Sequence, residues 1–259
     1  MSETMGRCSQ RGVDDATRGS GDRDRCLDRR DADEAELASK RSQGGCDGGA
    51  ELDQAASSIT TLGGELTAAG LSPGTTGNLS VRLTDGILCT PTGVALGALD
   101  PARLSRLDRD GHHRSGPRPT KESVLHAAIY AADPSIGAVI HLHAPYVAAV
   151  SCLAGLDPYD AIPAMTPYLT MRAGPVAVVP YAAPGSARSA AKLGALVARG
   201  HRAILMANHG CMAIGGSLSQ AASIAYELEQ AAMLHLVMWG LPVRRLSASE
   251  VSELRRAVS

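Results

Sequence analysis

Residues 137–150 read GAVIHLHAPYVAAV, in which two apolar runs flank a proline. The first run, GAVIHLHA, is predicted to be a buried strand, and the second is predicted to begin a helix. His141 and His143 lie within the strand at spacing i, i+2, so both side chains point to the same face. Two imidazoles on one face of a strand indicate a shared ligand. The alternative is a pair of hydrogen-bonded core histidines.

Helices and strands alternate on both sides of this stretch. Helices are predicted in ELDQAASSITTLGGELTAAGL, KESVLHAAIYAADP, SARSAAKLGALVARG and SLSQAASIAYELEQAAMLHLVMWG, the last with Ser217 as its N-cap. Strands are predicted in GNLSVRL, DGILCTPTG, RLSRLDRDGHHRSG, HRAILMANHG and, around a turn at Ala173 and Gly174, PYLTMRAGPVAVVPY. This order predicts an α/β domain with a mixed sheet over residues 51–259.

Residues 1–50 differ from the rest of the chain in composition. They are dense in Asp, Arg, Gly and Ser and contain almost no large apolar residue. Such a segment cannot bury enough surface to offset the entropy lost on ordering. We therefore expect a disordered N-terminal extension before the folded domain.

The overall composition narrows the class of partner. Hydrophobic residues make up 44% of the chain, whereas aromatic residues make up 3% and Phe is absent. Twenty-five basic and twenty-six acidic residues give a net charge of -1, which provides no polycationic surface for nucleic acid or an anionic membrane. No apolar run reaches the roughly 18 residues of a membrane span. We expect a soluble, cytoplasmic protein with a small-molecule ligand.

A third histidine and two glycine-rich turns accompany the histidine pair. His209 lies in MANHG, where a strand meets a glycine turn, and three imidazoles at strand ends are typical of a catalytic zinc site. Backbone N–H groups and small polar side chains in the two turns can form an anion cradle, although ordinary turns have the same composition. The candidate cradle residues are Gly74, Gly77, Asn78, Ser80, Thr90, Thr92 and Gly93.

The segment PTKESVLH adds an acid and a base. Thr120 is a candidate N-cap, which places Lys121 and Glu122 in the first helical turn. A first-turn acid is favoured by the helix dipole alone. The functional alternative is a carboxylate near a metal that moves a proton on a carbon acid, beside a lysine suited to an anionic substrate.

Five motifs together resemble one known family. GLSPGTTGNLSVRL, TPTG, TKE, HLHAPY and ANHG occur in the order and spacing of the class II aldolase and adducin family across about Leu71 to Met238. The resemblance implies a three-layer α/β/α fold with a central, mostly antiparallel mixed sheet. It also implies one divalent metal per subunit, usually Zn²⁺, and a homotetramer with sites near subunit interfaces.

The resemblance also implies a role for each matching residue. His141, His143 and His209 correspond to the metal ligands, and Glu122 to the catalytic acid/base that can also contact the metal. The implied substrate phosphate site contains Gly77, Asn78, Thr92, Gly93 and Thr120. Tyr168, in MTPYLTMRAG, is a further candidate for contact with a substrate of the same or a neighbouring subunit.

Lys121 narrows the implied reaction. Sugar-phosphate aldolases of the family usually carry a small hydroxyl residue immediately before the glutamate, whereas PTKE here is similar to the 3-oxo-tetronate 4-phosphate decarboxylase subgroup. The implied reaction releases carbon dioxide and dihydroxyacetone phosphate through a metal-stabilised enediolate. The alternatives are an aldolase acting on a ketose 1-phosphate such as fuculose or rhamnulose phosphate, and a non-enzymatic adducin-like module.

Overall fold

The computed structural model of the chain describes residues 48–257. The helices are α1 (48–68), α2 (Ser123–Ala132), α3 (Pro145–Ser151), α4 (Pro167–Arg172), α5 (Ala187–Ala198), α6 (Leu218–Val237) and α7 (Ala248–Ala257). The strands are β1 (Asn78–Leu83), β2 (Gly86–Cys89), β3 (Ser105–Leu107), β4 (His113–Ser115), β5 (Ala138–Leu142), β6 (Val176–Val179), β7 (Ala203–Met206) and β8 (Gly210–Gly215). The extension predicted at residues 1–50 lies outside the described residues, except for 48–50, which belong to α1.

The eight strands form one sheet in the order β4-β3-β2-β1-β5-β8-β7-β6. Every neighbouring pair is antiparallel except β6 and β7, which are parallel. The prediction of a mostly antiparallel mixed sheet is therefore confirmed. Over residues 48–257, no helix has both the length and the apolarity needed to cross a membrane.

Helices cover both faces of the sheet. Side chains of α2 and α5 form one buried cluster with one set of strand residues, whereas α1, α3, α4 and α6 form a second cluster with the alternate set. In β5, Ile140 and Leu142 face the α6 side and Val139 faces the α2 side, because successive strand residues point to opposite faces. The predicted three-layer α/β/α fold is confirmed. The same alternation directs His141 toward α2.

Strand register brings three chain segments to one end of the sheet. Asn78, at the start of β1, pairs with His141 near the end of β5. Cys211, near the start of β8, pairs with Leu142 at the end of β5. Because β5 is antiparallel to both neighbours, the turns that precede β1 and β8 and the segment that follows β5 lie side by side.

The predicted strand in PYLTMR is wrong, because this segment is helix α4. Tyr, Leu and Thr favoured the strand, but Pro167 fits the first turn of a helix, where its missing N–H costs no hydrogen bond. Gly174 ends the helix with φ +68°, and its N–H donates to the carbonyl of Leu169 (3.0 Å).

Strand β8 was not predicted, and its sequence GCMAIG contains glycines, which are unfavourable in strands. The structure explains one of them by close backbone contact. A Cβ atom at Gly210 would lie 2.2 Å from the carbonyl oxygen of Leu142. Helix α7 was also missed.

Glu229, on α6, accepts hydrogen bonds from the start of α3, which begins two residues after His143. Its side chain is buried, and its oxygens accept hydrogen bonds from the backbone N–H groups of Tyr146 (3.0 Å) and Val147 (2.8 Å). N–H groups in the first turn of a helix have no partner within the helix, and the helix dipole favours a carboxylate there. Glu229 therefore stabilises the segment that carries His143.

Replacing Glu229 with alanine is expected to lower the free energy of unfolding by about 2–3 kcal/mol, because two buried donors lose their acceptor. The Glu229→Gln variant keeps one acceptor oxygen and should lose about half as much. Urea denaturation measures both values. An unchanged free energy of unfolding in the alanine variant would contradict the capping role.

Candidate metal centre and active site

Three histidines converge at the end of the sheet where β1, β5 and β8 meet. Nε2 of His141 lies 2.9 Å from Nε2 of His143, and their ring centroids are 4.8 Å apart. The ring centroid of His209 is 4.8 Å from that of His141 and 4.6 Å from that of His143. One nitrogen from each ring lies within 4.8 Å of the others. The predicted set of three imidazoles is therefore brought together.

The backbone fixes His209 by a turn that glycine or asparagine accommodates best. Asn208 has φ +56°, in the left-handed region that asparagine tolerates better than most residues. Ser151, the last residue of α3, accepts the N–H of Asn208 with its carbonyl (2.9 Å) and the N–H of His209 with its hydroxyl (3.2 Å). Helix α3 therefore begins two residues after His143, and its last residue holds the turn that carries His209.

Glu122 occupies the N-cap position of α2 and not the first helical turn that was predicted. Its side chain makes no capping hydrogen bond, so stabilisation of the helix does not explain why a glutamate occupies this position. Oε2 accepts a hydrogen bond from Nδ2 of Asn78 (2.9 Å) and lies 3.0 Å from Nε2 of His141. Oε1 lies 3.6 Å from Nε2 of His209 and is buried without a hydrogen-bond partner among the described residues.

Burial and charge shape the protonation of this cluster. Burial raises the pKa of Glu122, but the close contacts with His141, Asn78 and His209 lower it by more, and the pKa falls to about 2. Burial lowers the pKa of His143 to about 4 and also lowers the pKa of His209, in both cases with a contribution from His141. The carboxylate is therefore ionised at neutral pH, and His143 and His209 are neutral.

These donors fit a divalent cation. Nδ1 of His141 lies 2.9 Å from the carbonyl oxygen of Cys211, so Nδ1 carries the proton and Nε2 presents its lone pair. That lone pair faces a second imidazole nitrogen and a carboxylate oxygen, and within residues 48–257 no group donates to Oε1 of Glu122. A cation between these atoms would satisfy all of them, and neutral imidazole is a usual ligand of divalent transition metals.

A cavity of about 290 Å³ opens in front of this cluster. The side chain of His141 is fully buried behind it. The residues that line the cavity are Thr75, Thr76, Gly77, Asn78, Pro91, Thr92, Gly93, Thr120, Lys121, Glu122, His143, Pro184 and His209.

The family model described as the Class II Aldolase and Adducin N-terminal domain matches residues 57–236. The chain belongs to the class II aldolase and adducin family. Its relatives in this family include the 3-oxo-tetronate 4-phosphate decarboxylase of Escherichia coli K12, which is 46% identical over 187 residues, or 72% of this chain and 88% of the relative. The L-fuculose phosphate aldolase of the same strain is 36% identical over 192 residues, or 73% and 86%.

Solved structures of family members agree with the fold. The crystal structure of YgbL from Klebsiella pneumoniae matches with a TM-score of 0.77 and 42% identity, over 79% of this chain and 99% of that one. Similarity to the decarboxylase subgroup of the class II aldolase family, which the PTKE motif predicted, is thus confirmed.

The predicted site residues of this class II aldolase family member are brought together with one exception. Gly77, Thr92, Gly93, Thr120 and Lys121 line the cavity, together with Asn78, Glu122, His143 and His209. Tyr168 does not line it. The Tyr168 side chain is 55% exposed on α4, where the guanidinium of Arg172 lies 5.6 Å from its ring centroid. The structure therefore does not bring Tyr168 to the cavity of its own chain.

The groups that can bind an anion are fewer than the sequence suggested. The N–H groups of Thr92 and Thr120 already donate to the carbonyls of Arg118 and Thr90, so these threonines offer hydroxyls. Asn78 uses its side-chain oxygen and one side-chain hydrogen for His126 and Glu122. Its principal contact is with the acid/base candidate and not with the predicted phosphate site.

Gly77 is required by its backbone geometry. Its φ of +78° is in the region that favours glycine, and an added Cβ would lie 2.9 Å from the carbonyl oxygen of His141. Ser80 and Thr90, two other candidates for the anion cradle, are buried and hydrogen-bonded within the core. Sequence reasoning did not select Thr75, Thr76 or Pro184, because turn residues of these types carry no distinct functional signal.

Proposed function

We propose that this chain decarboxylates a 3-oxo-tetronate 4-phosphate to dihydroxyacetone phosphate and carbon dioxide. The observation that carries the proposal is that Lys121 and Glu122 line the same cavity as the histidine cluster. An ammonium group suits the carboxylate that leaves as carbon dioxide, and an aldolase substrate has no such carboxylate. The higher identity to the decarboxylase, 46% against 36% for the aldolase, supports the same reaction.

We propose Zn²⁺ as the metal, held by Nε2 of His141 together with His143 and His209. Three imidazole ligands and an open position are typical of catalytic zinc sites. When bound, the cation would supply a Lewis acid that stabilises negative charge on the ketone oxygen of the substrate. Glu122 would serve as an additional ligand before substrate binds, since Oε1 is buried without a hydrogen-bond partner in the part of the chain that the structure describes.

The substrate phosphate is assigned to the glycines and threonines that line the cavity. Gly77 and Gly93 offer backbone N–H groups, and Thr92 and Thr120 offer hydroxyls. These are neutral donors, which bind a phosphate without the large positive charge that the composition excludes. The ammonium group of Lys121 is then available for the carboxylate at the other end of the substrate.

The carbon–carbon bond to the carboxylate breaks, and its electron pair moves toward the neighbouring ketone oxygen. The carbon that has lost carbon dioxide then takes up one proton, which completes dihydroxyacetone phosphate. Glu122 is ionised in the free site, so a proton that it delivers must first arrive from the substrate hydroxyl or from water. The hydrogen bond from Asn78 keeps Oε2 of Glu122 fixed during this transfer.

Replacing Lys121 with serine tests the assignment of the carboxylate. We expect kcat/KM for decarboxylation to fall about 10- to 100-fold, because a charge-assisted hydrogen bond is lost, and the metal content to stay the same. Lys192→Ser on α5 is the matched control, since Lys192 lines a different cavity. Decarboxylation that is unchanged in Lys121→Ser would remove the basis for preferring a decarboxylase.

The second candidate is an aldolase that cleaves a ketose 1-phosphate, and it is favoured by the likeness of this chain to L-fuculose phosphate aldolase. Both reactions leave the same electron pair beside a ketone, so the same acid/base residue serves either one. Comparison of kcat/KM for 3-oxo-tetronate 4-phosphate and for fuculose 1-phosphate on one preparation distinguishes them. A non-enzymatic adducin-like module would turn over neither substrate.

We also propose that the chain is a cytoplasmic homotetramer with one catalytic domain, which begins with helix α1. Exposed apolar side chains support an interface around the end of α6. Val237 is 67% exposed, and Trp239 and Leu241 are each 62% exposed. Apolar groups that cluster at a surface are typical of contacts between subunits.

A further inference from the structure

Behind Glu122, buried polar side chains form a continuous chain of hydrogen bonds that leads away from the cavity. Nδ2 of Asn78 donates to Glu122 (2.9 Å), and Oδ1 of Asn78 lies 2.6 Å from Nε2 of His126. Nδ1 of His126 lies 2.7 Å from Oγ of Ser80, which lies 2.8 Å from the hydroxyl of Tyr130. His126, Ser80 and Tyr130 are each no more than 2% exposed.

The donor and the acceptor of each of these hydrogen bonds can be assigned, starting from Glu122. Nδ2 of Asn78 donates to Oε2 of Glu122, and this bond fixes the orientation of the amide group. Oδ1 of Asn78 then faces His126 and requires a proton on Nε2. A fully buried imidazole whose hydrogen-bond partners are Asn78 and Ser80 is neutral, so Nδ1 accepts from the Ser80 hydroxyl. The oxygen of Ser80 in turn accepts from Tyr130.

Reversing the amide group of Asn78 would break two of these bonds together. Its oxygen would face the carboxylate of Glu122, and its NH₂ group would face the proton on His126. Both arrangements are repulsive, and neither is relieved by water in a buried site. The bond from His126 therefore holds Asn78, and through it Glu122, in one orientation.

We propose that His126 is a positioning residue for the acid/base Glu122, acting through the amide of Asn78 and held in its tautomer by Ser80 and Tyr130. This inference rests on the proposed function, in which Glu122 moves the proton. His126 does not line the cavity. Helix α2 supplies both Glu122 and His126, and β1 supplies Asn78 and Ser80, so the pairing of these two elements sets the geometry.

The test compares His126→Leu with His126→Gln in the full-length, zinc-loaded protein. The leucine variant keeps much of the volume but has no donor for Asn78, so kcat is expected to fall about 30-fold with KM within about threefold of wild type. Glutamine places an N–H group near the position of Nε2 and is expected to recover kcat to within about fivefold. Metal content should be the same in both variants.

His201→Leu is the matched control, because His201 is also a buried histidine but hydrogen-bonds to Pro175, away from the cavity. It should keep the wild-type kcat. A leucine variant of His126 that keeps wild-type kcat, or a glutamine variant as impaired as the leucine variant, would overturn the proposal. The first result would mean that Glu122 needs no such support, and the second that His126 acts only by packing.

A second measurement does not depend on turnover. Nitrogen-15 chemical shifts of the His126 imidazole, assigned by their absence in His126→Gln, report which ring nitrogen carries the proton. We expect the proton on Nε2 in the wild type. A proton on Nδ1 would overturn the proposal, whatever the kinetic effect of the substitutions. If the proton lies on Nε2 but the protein does not decarboxylate the substrate, the positioning role of His126 stands and the proposed reaction is rejected.

Discussion

Replacing Glu122 with glutamine is expected to lower kcat for decarboxylation about a thousandfold, the scale of general acid/base catalysis. Glutamine keeps the shape of the side chain, and its oxygen can still accept from Asn78, but it cannot take up and release a proton. His141, His143 and His209 are unchanged, so metal content should be retained. Carbon dioxide release and elemental analysis on the same preparation separate the two effects.

Glu229→Gln is the matched control for this prediction. Glu229 is as buried as Glu122, with each residue 5% exposed, but its oxygens cap helix α3 and do not face the cavity. The control variant should lose stability and retain most of its kcat. A Glu122→Gln enzyme within about tenfold of wild type would contradict the assignment of Glu122 as the acid/base.

Removal of the metal is expected to abolish turnover and to lower stability. A cation that binds only the folded chain adds about 2.7 kcal/mol to the free energy of unfolding at a concentration 100 times its dissociation constant. We expect Zn²⁺ to restore both activity and stability after treatment with a chelator. Thermal unfolding with and without added Zn²⁺ measures the second effect independently of the substrate.

His143→Ala should remove this response to Zn²⁺ with little disturbance of the core. His143 follows the end of β5 and is partly exposed, whereas His141 is fully buried within the strand. Activity of the variant is expected to fall at least about a hundredfold, more than the usual effect of losing a group that only supports a ligand. Zinc-dependent stabilisation equal to that of the wild type would contradict the role of His143 as a ligand.

The histidine cluster is the part of the site that the sequence predicted best. Spacing i, i+2 placed His141 and His143 on one face, and glycine turns at strand ends placed His209 nearby. The antiparallel pairing of β5 with β1 and β8 then brings these segments together. Local patterns carry this information because alternation along a strand is fixed by backbone geometry.

Sequence patterns gave wrong or missing elements where a tertiary contact determines the local structure. Strand β8 was not predicted, and its Gly210 is required by the close approach of the Leu142 carbonyl. Thr120 was predicted to cap α2, whereas the helix begins at Ser123 and Glu122 takes the N-cap position. This shift matters because it frees the Glu122 side chain to meet Asn78 and the histidines.

The hydrogen-bonded residues behind Glu122 were the part of the site that could least be predicted from the sequence. His126 and Tyr130 lie four and eight residues after Glu122, on the same face of α2, and this spacing is also typical of core residues. Ser80 looked like part of an anion cradle, although its hydroxyl joins His126 to Tyr130 in the core. Only the packing of α2 against β1 shows that these residues form one network.

The most direct test of the proposed function is the stoichiometry of products from a 3-oxo-tetronate 4-phosphate on zinc-loaded protein. Carbon dioxide and dihydroxyacetone phosphate should form in equal amounts, and neither should form with Glu122→Gln at a comparable rate. Absence of carbon dioxide from this substrate, together with cleavage of fuculose 1-phosphate to an aldehyde, would contradict the decarboxylase and establish an aldolase.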